Sequence, residues 1–459
     1  MRQSRSLIPT AFIATLGLAT LLMFAMPATA QEGGDDEAPA SPSGDQEPHS
    51  GEAATDAPDP AEGRSGYAGG TPTIEGADGV ASEIATDDID VGGVWKPGWL
   101  SGVLDPWWAT KKKWNQDVGL RLNFSYQTLH QTVDKSPGED SGAAYRAQIQ
   151  GMWALVNRKG KNSGSWSFRY EYRDTLNSDI PPSGLAGQAG IFGQTATGFS
   201  DFGSSLSEFS WRQTFYSGKL KGAIGKISAT SWYNGFLLSS PMKGFQNVAL
   251  QSSNTKPSPG RGIGAGLAVQ PTDRFAIVAG IHDANARTTD NNPFDTLEES
   301  EFYQSIELRY FPKGFAKSHT DQVRLQVWHQ DERVEAGTPA GQGATALGSI
   351  LVNDKWLPFA FGGLSNGKAS LMEADFSVGV ARAFNTVHRA ARDVLGLGYN
   401  WARPSNSALR DQFTWELFYR FQLVQNIAFT ASTQLVLDPS LNPEEDDVWL
   451  GGLKLRVTF

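Results

Sequence analysis

Apolar and polar residues alternate with a period of two along most of the chain after about residue 117. In the stretch 413–423 every odd-numbered residue is apolar, and Glu416, Arg420 and Gln422 stand at even-numbered positions. Alternation of this kind predicts β-strands with one apolar and one polar face. The repeating segments are about ten residues long, which is the length needed to cross a bilayer at a tilt.

Fifteen such segments can be recognised. They lie near 118–133, 143–157, 164–174, 204–217, 219–228, 260–270, 274–283, 302–311, 322–333, 355–364, 371–384, 393–404, 412–424, 427–438 and 448–459. Bacterial single-chain barrels have even strand numbers, so we expect about sixteen strands, with one missed or two merged. The predicted fold class is all-β, a transmembrane antiparallel β-barrel over 118–459 that encloses an aqueous lumen.

The strands of a soluble β-sandwich would show the same alternation, because one face of each sheet is buried and the other is exposed to solvent. A membrane barrel is favoured since charged residues oppose large aromatic ones within single strands, and aromatic residues such as Trp401 and Phe311 fall at strand ends. The short links 271–273 and 425–426 are interpreted as periplasmic turns. Four long links, 175–203, 231–259, 284–301 and 334–354, are interpreted as external loops, and 231–259 is expected to fold inward.

The first 117 residues do not alternate. Residues 1–30 have Arg2 and Arg5, an apolar stretch and the small residues 28–30, which indicates a secretory signal peptide rather than a membrane anchor. Residues 31–93 hold sixteen Asp and Glu against one Arg, and predict a disordered acidic periplasmic linker. Residues 94–117 contain a predicted short N-terminal helix segment from Asp105 to Trp114, placed either in the lumen or at the periplasmic rim.

Composition narrows the possible functions. The formal net charge is −10, but it resides in residues 31–93, and the rest of the chain is close to neutral. The chain has no Cys, and its six His show no ligand spacing, so no metal site and no cofactor are predicted. No His pairs with a Ser as a hydrolase would require, and no basic tract suggests nucleic acid. We therefore expect no catalytic residue and no enzyme.

Short pieces of two stretches carry a family resemblance. In the C-terminal stretch they are 413–421, 426–429, Gln434, 438–439, 451–456 and Phe459, and in the second stretch they are 225–227, 245–247, 264–271 and 280–284. In these residues the chain resembles the carbohydrate-selective outer-membrane porins of the OprB family, over about 95–459. The acidic arm is not part of that family's core. The resemblance implies passive diffusion of glucose-like sugars across the bacterial outer membrane. It also implies contact with outer-membrane lipid and lipopolysaccharide, and a homotrimer is the assembly that porins of this size commonly form.

A sugar path needs aromatic platforms and charged hydrogen-bonding groups on the inward register of the strands. The candidate sugar-binding or pore-lining residues are Arg169, Glu171, Arg173, Glu208, Arg212, Trp232, Glu307, Arg309, Arg324, Trp328, Glu416 and Arg420. The alternative for each is that it only solvates and braces the wall. The two signs of charge together argue against strong ion selectivity. Alternatives for the whole chain are a non-specific diffusion porin, a structural envelope anchor and a lipid-modifying enzyme.

Overall fold

A computed structural model describes residues 74–88, 94–95, 97–233, 236–290, 292–386 and 389–459. Sixteen strands form a closed antiparallel barrel in which each strand pairs with the next and β1 pairs with β16. The strands are β1 Leu120–Val133, β2 Ser141–Val156, β3 Gly164–Thr175, β4 Gly203–Phe215, β5 Leu220–Ile227, β6 Gly262–Thr272, β7 Phe275–Asp283, β8 Phe302–Tyr310, β9 Gln322–Gln330, β10 Gly341–Ser349, β11 Trp356–Ser365, β12 Met372–Thr386, β13 Arg389–Pro404, β14 Gln412–Val424, β15 Ile427–Leu437 and β16 Asp447–Thr458. The predicted fold is confirmed.

The two faces of each strand differ as the alternation predicts. Along β9 the side chains that point inward are buried, while Leu325 and Val327 point outward and are more than half exposed. Closure satisfies the backbone groups of every strand, so a wall of this kind is stable in lipid. Short connections such as 273–274 and 425–426 lie at one end, called here the short-turn end, and long connections such as 176–202 and 228–261 lie at the other, the long-loop end.

One strand was not predicted from the alternation of apolar and polar residues. Strand β10 lies inside 334–354, which was interpreted as a single external loop, and that interpretation is wrong. The strand consists of Gly, Gln, Ala, Thr, Leu and Ser, so it shows little contrast between its faces. Its inward Gly343 leaves room for the ring of Trp328, because a Cβ at that position would stand 2.7 Å from the Trp328 Cζ2 atom.

A helix precedes the barrel at the short-turn end, and we call it the rim helix. It runs Gly98–Val118 and is longer than the predicted segment from Asp105 to Trp114. Its N-cap is Pro97, and Pro106, near which the predicted helix began, lies within it. The ring of Trp107 lies 5.8 Å from that of Phe124, which is on the outward register of β1, so the helix is at the rim and not in the lumen. Shorter helices are Leu185–Gln188 and Ala229–Tyr233, with 3-10 turns at Pro182–Gly184, Tyr216–Gly218, Val248–Leu250, Leu297–Glu299 and Phe315–Lys317. Across the described residues, no helix combines the length and apolarity needed to span a membrane.

Residues 74–88 differ from the predicted disordered linker. They are folded, contain the helix Val80–Asp87, and lie inside the barrel, where Val80 and Ile84 are completely buried. We call these residues the luminal segment. The predicted signal peptide and the remainder of the acidic region up to residue 73 lie outside the described residues.

The long connection between β5 and β6 also lies inside the barrel, as expected for 231–259. We call its described residues, 228–233 and 236–261, the inward-folded loop. Its Phe236, Phe245 and Leu250 are buried against inward side chains of β11 to β14, including Phe359 and Phe418. This apolar packing fills one side of the lumen, so the open path lies along the opposite wall.

Candidate functional site

A polar cavity of about 730 Å³ opens between the inward-folded loop and the wall formed by β2 and β3. Its lining combines many hydroxyl groups with charged side chains, and Phe202 is the aromatic residue among the described lining residues. Arg333 and Lys368, from connections at the long-loop end, stand at one side of it, and Asp78 and Glu83 of the luminal segment at the other. A cavity of this size is typical of a small-molecule site.

The charged centre of the cavity wall is one carboxylate shared by three arginines. Glu171 is fully buried, and its carboxylate oxygens lie 2.8 Å from Arg146 Nε, 2.7 Å from Arg173 Nη2 and 2.5 Å from Arg261 Nη1. Arg173 also donates to the Thr197 carbonyl at 3.0 Å and stacks on the Phe202 ring at 4.4 Å. The guanidinium groups are therefore held in fixed orientations at the cavity wall.

Arg169 connects this wall to the luminal segment. It is fully buried, donates to the side chain of Gln150 at 3.0 Å and to the Asp78 carbonyl at 2.6 Å, and lies 3.8 Å from the Glu83 carboxylate. Burial by itself would raise the pKa of Glu83, but Arg169, with Lys243 and Arg146 nearby, holds that pKa below its usual value. Glu83 is therefore a buried anion.

Five further predicted residues face the lumen away from the cavity. Arg212 lies 2.6 Å from Glu208 and pairs with Glu75 of the luminal segment. Arg309 pairs with Glu307, and Arg324 Nη1 lies 3.2 Å from the same carboxylate. These residues make contacts within the protein and do not line the cavity.

Glu416 and Arg420 of β14 hold the inward-folded loop. The Glu416 carboxylate accepts the backbone N–H groups of Gln246 at 2.7 Å and Asn247 at 2.8 Å, and Arg420 donates to the Lys243 carbonyl at 2.7 Å. Through the loop these two residues fix one side of the cavity.

The predicted stacking residues Trp232 and Trp328 lie together in a buried apolar cluster. They are 5% and 3% exposed, and the cluster also contains Ile74 of the luminal segment and Tyr303. Neither tryptophan lines the cavity. The inward register predicted for Trp328 is present, but its ring faces other protein groups.

The cavity residues that were not among the sequence candidates include Arg146, Phe202 and Arg261. Arg146 could have been found, because it alternates with Tyr145 and Ala147 in a predicted strand. Arg261 lies in the predicted segment 260–270 but on the register of the outward Ile263 and Leu267, and Phe202 precedes the predicted segment 204–217, so the alternation pointed to neither.

The geometry can now be compared with known proteins. The sequence model of the carbohydrate-selective porin family, OprB, matches residues 175–459. The chain belongs to the OprB family of carbohydrate-selective porins. The match covers more than half of the chain, including strands β4 to β16. No curated protein matches the sequence.

One solved structure shares this fold, and two others are similar to the chain at lower TM-scores. The high-pH structure of Pseudomonas putida OprB is 15% identical, with a TM-score of 0.62, and the alignment covers 77% of this chain and 97% of that one. The low-pH structure is 12% identical with a TM-score of 0.46, over 77% and 96% of the two chains. A mutant of Rh. blastica porin is 10% identical with a TM-score of 0.48, over 74% and 100%. The porin fold and family are those of a channel of the bacterial outer membrane rather than of an enzyme.

Proposed function

We propose that this porin passes monosaccharides down their concentration gradient and that they bind transiently in the cavity beside Glu171. The observation that carries the proposal is the group of Arg146, Arg173 and Arg261 around one buried carboxylate, at the wall of a hydroxyl-lined cavity. The buried Glu171 carboxylate orients the three guanidinium groups, which line the cavity and present hydrogen-bond donors to it.

A sugar hydroxyl both donates and accepts a hydrogen bond, so a path for sugars must offer both kinds of partner. Guanidinium groups donate in a fixed fork, while hydroxyl side chains such as Ser200 and Ser240 can do either. Phe202 adds an apolar surface for the C–H groups of a sugar ring. These contacts replace the hydration shell of the sugar during passage.

The remaining predictions form part of the same proposal. The short-turn end faces the periplasm, since barrels of this class have short periplasmic turns and longer external loops. The outward apolar side chains contact outer-membrane lipid, and the long-loop end contacts lipopolysaccharide. The porin assembles as a homotrimer, which its mass in a mild detergent would test.

Planar bilayer recordings test the sugar site. Glucose, maltose and a neutral non-sugar of matching size are titrated against the single-channel current of wild-type protein. We expect glucose to block the current at concentrations where the non-sugar does not. The Arg173→Gln variant should weaken the block by on the order of tenfold, because a hydrogen bond to a charged group contributes about 1.5–3 kcal/mol.

Arg324→Gln is the matched control, because Arg324 is also a buried inward arginine but does not line the cavity. Its sugar block should equal that of wild type. If both variants weakened the sugar block equally, the sugar would not bind in the cavity. Block by the non-sugar at the same concentrations as glucose would make the protein a general diffusion porin.

A further inference from the structure

The luminal segment is strongly acidic. Residues 74–88 contain Glu75, Asp78, Glu83, Asp87 and Asp88 and no basic residue. A segment of this composition is normally solvated, because it has too little apolar surface to bury. Here Glu83 and Asp87 are 3% and 4% exposed, so partners in the lumen must compensate their charges.

The segment enters and leaves the lumen at the same end. At its start, Ile74 and Glu75 contact Arg309 and Arg212, which lie within three residues of the short-turn ends of β8 and β4. In its middle, Glu83 accepts from Gln148 and Gln150 of β2, at 3.0 and 2.8 Å. The segment thus reaches mid-lumen and then turns back.

The return half of the segment ends beside the rim helix. Asp87 accepts from Arg456 Nη2 at 2.7 Å, close to the end of β16, and lies 3.3 Å from Lys243 Nζ of the inward-folded loop. Asp88 accepts from Lys111 of the rim helix at 2.8 Å. The segment therefore follows a hairpin-like course based at the short-turn end.

The segment and the wall are matched in charge. Arg212 meets Glu75, Arg169 meets Glu83, and Arg456 meets Asp87. Each of these arginines is on a barrel strand, and each acidic partner belongs to the segment. Without the segment Arg169 and Arg456 would lose these carboxylates and Arg212 would keep only Glu208, so the wall would carry more uncompensated positive charge.

The segment also lies on the solute path. Asp78 and Glu83 line the cavity on the side away from Arg333 and Lys368 of the long-loop end. Beyond them the segment continues to the short-turn end. A solute that leaves the cavity in that direction must pass along the segment.

We propose that the luminal segment determines the selectivity of the pore. Its backbone narrows the half of the lumen between the cavity and the short-turn end, and its carboxylates cancel the positive field of the wall arginines. Neutral solutes can then pass without competition from small anions. Removal of the segment converts the lumen into a wider, anion-selective pore.

Two N-terminal deletions separate the segment from the rest of the acidic region. Deletion of 31–88 removes the luminal segment, whereas deletion of 31–73 removes ten acidic residues but keeps the segment. The double variant Glu83→Gln with Asp87→Asn keeps the segment and removes two of its charges. Each protein is inserted into planar bilayers, and single-channel conductance and the reversal potential in a KCl gradient are measured.

The 31–88 deletion should conduct more than wild type, and its Cl⁻ to K⁺ permeability ratio should rise by roughly tenfold, because the lumen then carries an excess of positive charge that concentrates anions. The 31–73 deletion should match wild type in both quantities. The double variant should shift the permeability ratio in the same direction, with a smaller change in conductance. A wild-type protein that is closed while the 31–88 deletion conducts would overturn the proposal, because the segment would then be a plug and not a selectivity element.

The proposal is overturned if the two deletions give the same conductance and permeability ratio, or if the double variant leaves the ratio unchanged. Heat-modifiable migration on gels shows that each barrel has folded. If the 31–88 deletion does not fold, the full-length double variant still decides the role of the charges. Sugar block is measured separately with Arg173→Gln, so failure of the sugar site and failure of this proposal give different results.

Discussion

Glu416 offers a precise way to loosen the inward-folded loop without changing the wall. Its carboxylate is completely buried and accepts the backbone N–H groups of Gln246 and Asn247. The change to Ala removes both acceptor oxygens and leaves two buried donors without those partners. We expect the loop around these residues to open locally while the barrel stays folded.

The size of the effect follows from the two lost bonds. A hydrogen bond to a charged group contributes about 1.5–3 kcal/mol, so the two together contribute about 3–6 kcal/mol. The side chain of Asp375 and the apolar packing of Phe245 continue to hold neighbouring parts of the loop. The lower figure, about 3 kcal/mol, corresponds to a roughly hundredfold rise in the local opening constant.

Amide hydrogen exchange measures this opening directly. The amides of Gln246 and Asn247 should exchange on the order of a hundredfold faster in Glu416→Ala, and the single-channel current should become noisier. Thr414→Ala is the matched control, since Thr414 is inward on the same strand and its buried hydroxyl has no hydrogen-bond partner among the described residues. Unchanged exchange at both amides, or an equal change in Thr414→Ala, would refute the reasoning.

Two further predictions concern stability. A Cβ at position 343 would stand 2.4 Å from the Leu364 carbonyl and 2.7 Å from the Trp328 ring, so Gly343→Ala should destabilise the barrel by about 1–3 kcal/mol in urea titrations. Gly102→Ala should not destabilise the barrel, because a Cβ at position 102 would have open space around it. Burial lowers the pKa of His319, in the β8–β9 turn, from 6.5 to about 4, so the unfolded chain takes up this proton first as pH falls. As the pH falls from 6.5 to 4, the free energy of unfolding should therefore fall by up to about 3 kcal/mol. If the His319→Gln variant lost as much stability over this range as wild type does, His319 would not be the cause.

The wall of the barrel could be predicted because each strand carries its own signal. In β14, large aromatic residues such as Trp415 face outward and charged residues such as Glu416 face inward, so eleven residues suffice to assign both faces. In β10, by contrast, Gly343 is small because Trp328 of the neighbouring strand fills the space. The reason for its size lies on another strand, and no local pattern reveals it.

The interior of the barrel was harder to predict for the same physical reason. Alternation gives the side to which Trp328 points but not that Trp232 and Tyr303 pack around it. The composition of 74–88 indicates a solvated segment, and its burial depends on Arg169 and Arg456, which are distant in sequence. Charge pairing between segments that are distant in sequence produces no periodic pattern in either segment, so it cannot be predicted from the alternation.

The hairpin-like course of the luminal segment has a topological consequence. A segment that ran from one end of the closed barrel to the other would have to be threaded through the lumen or be in place before the wall closed. Because residues 74 and 88 both lie at the short-turn end, the segment can be inserted after β1 has paired with β16, and withdrawn without unzipping any strand. Insertion of the segment therefore does not depend topologically on the closure of the wall.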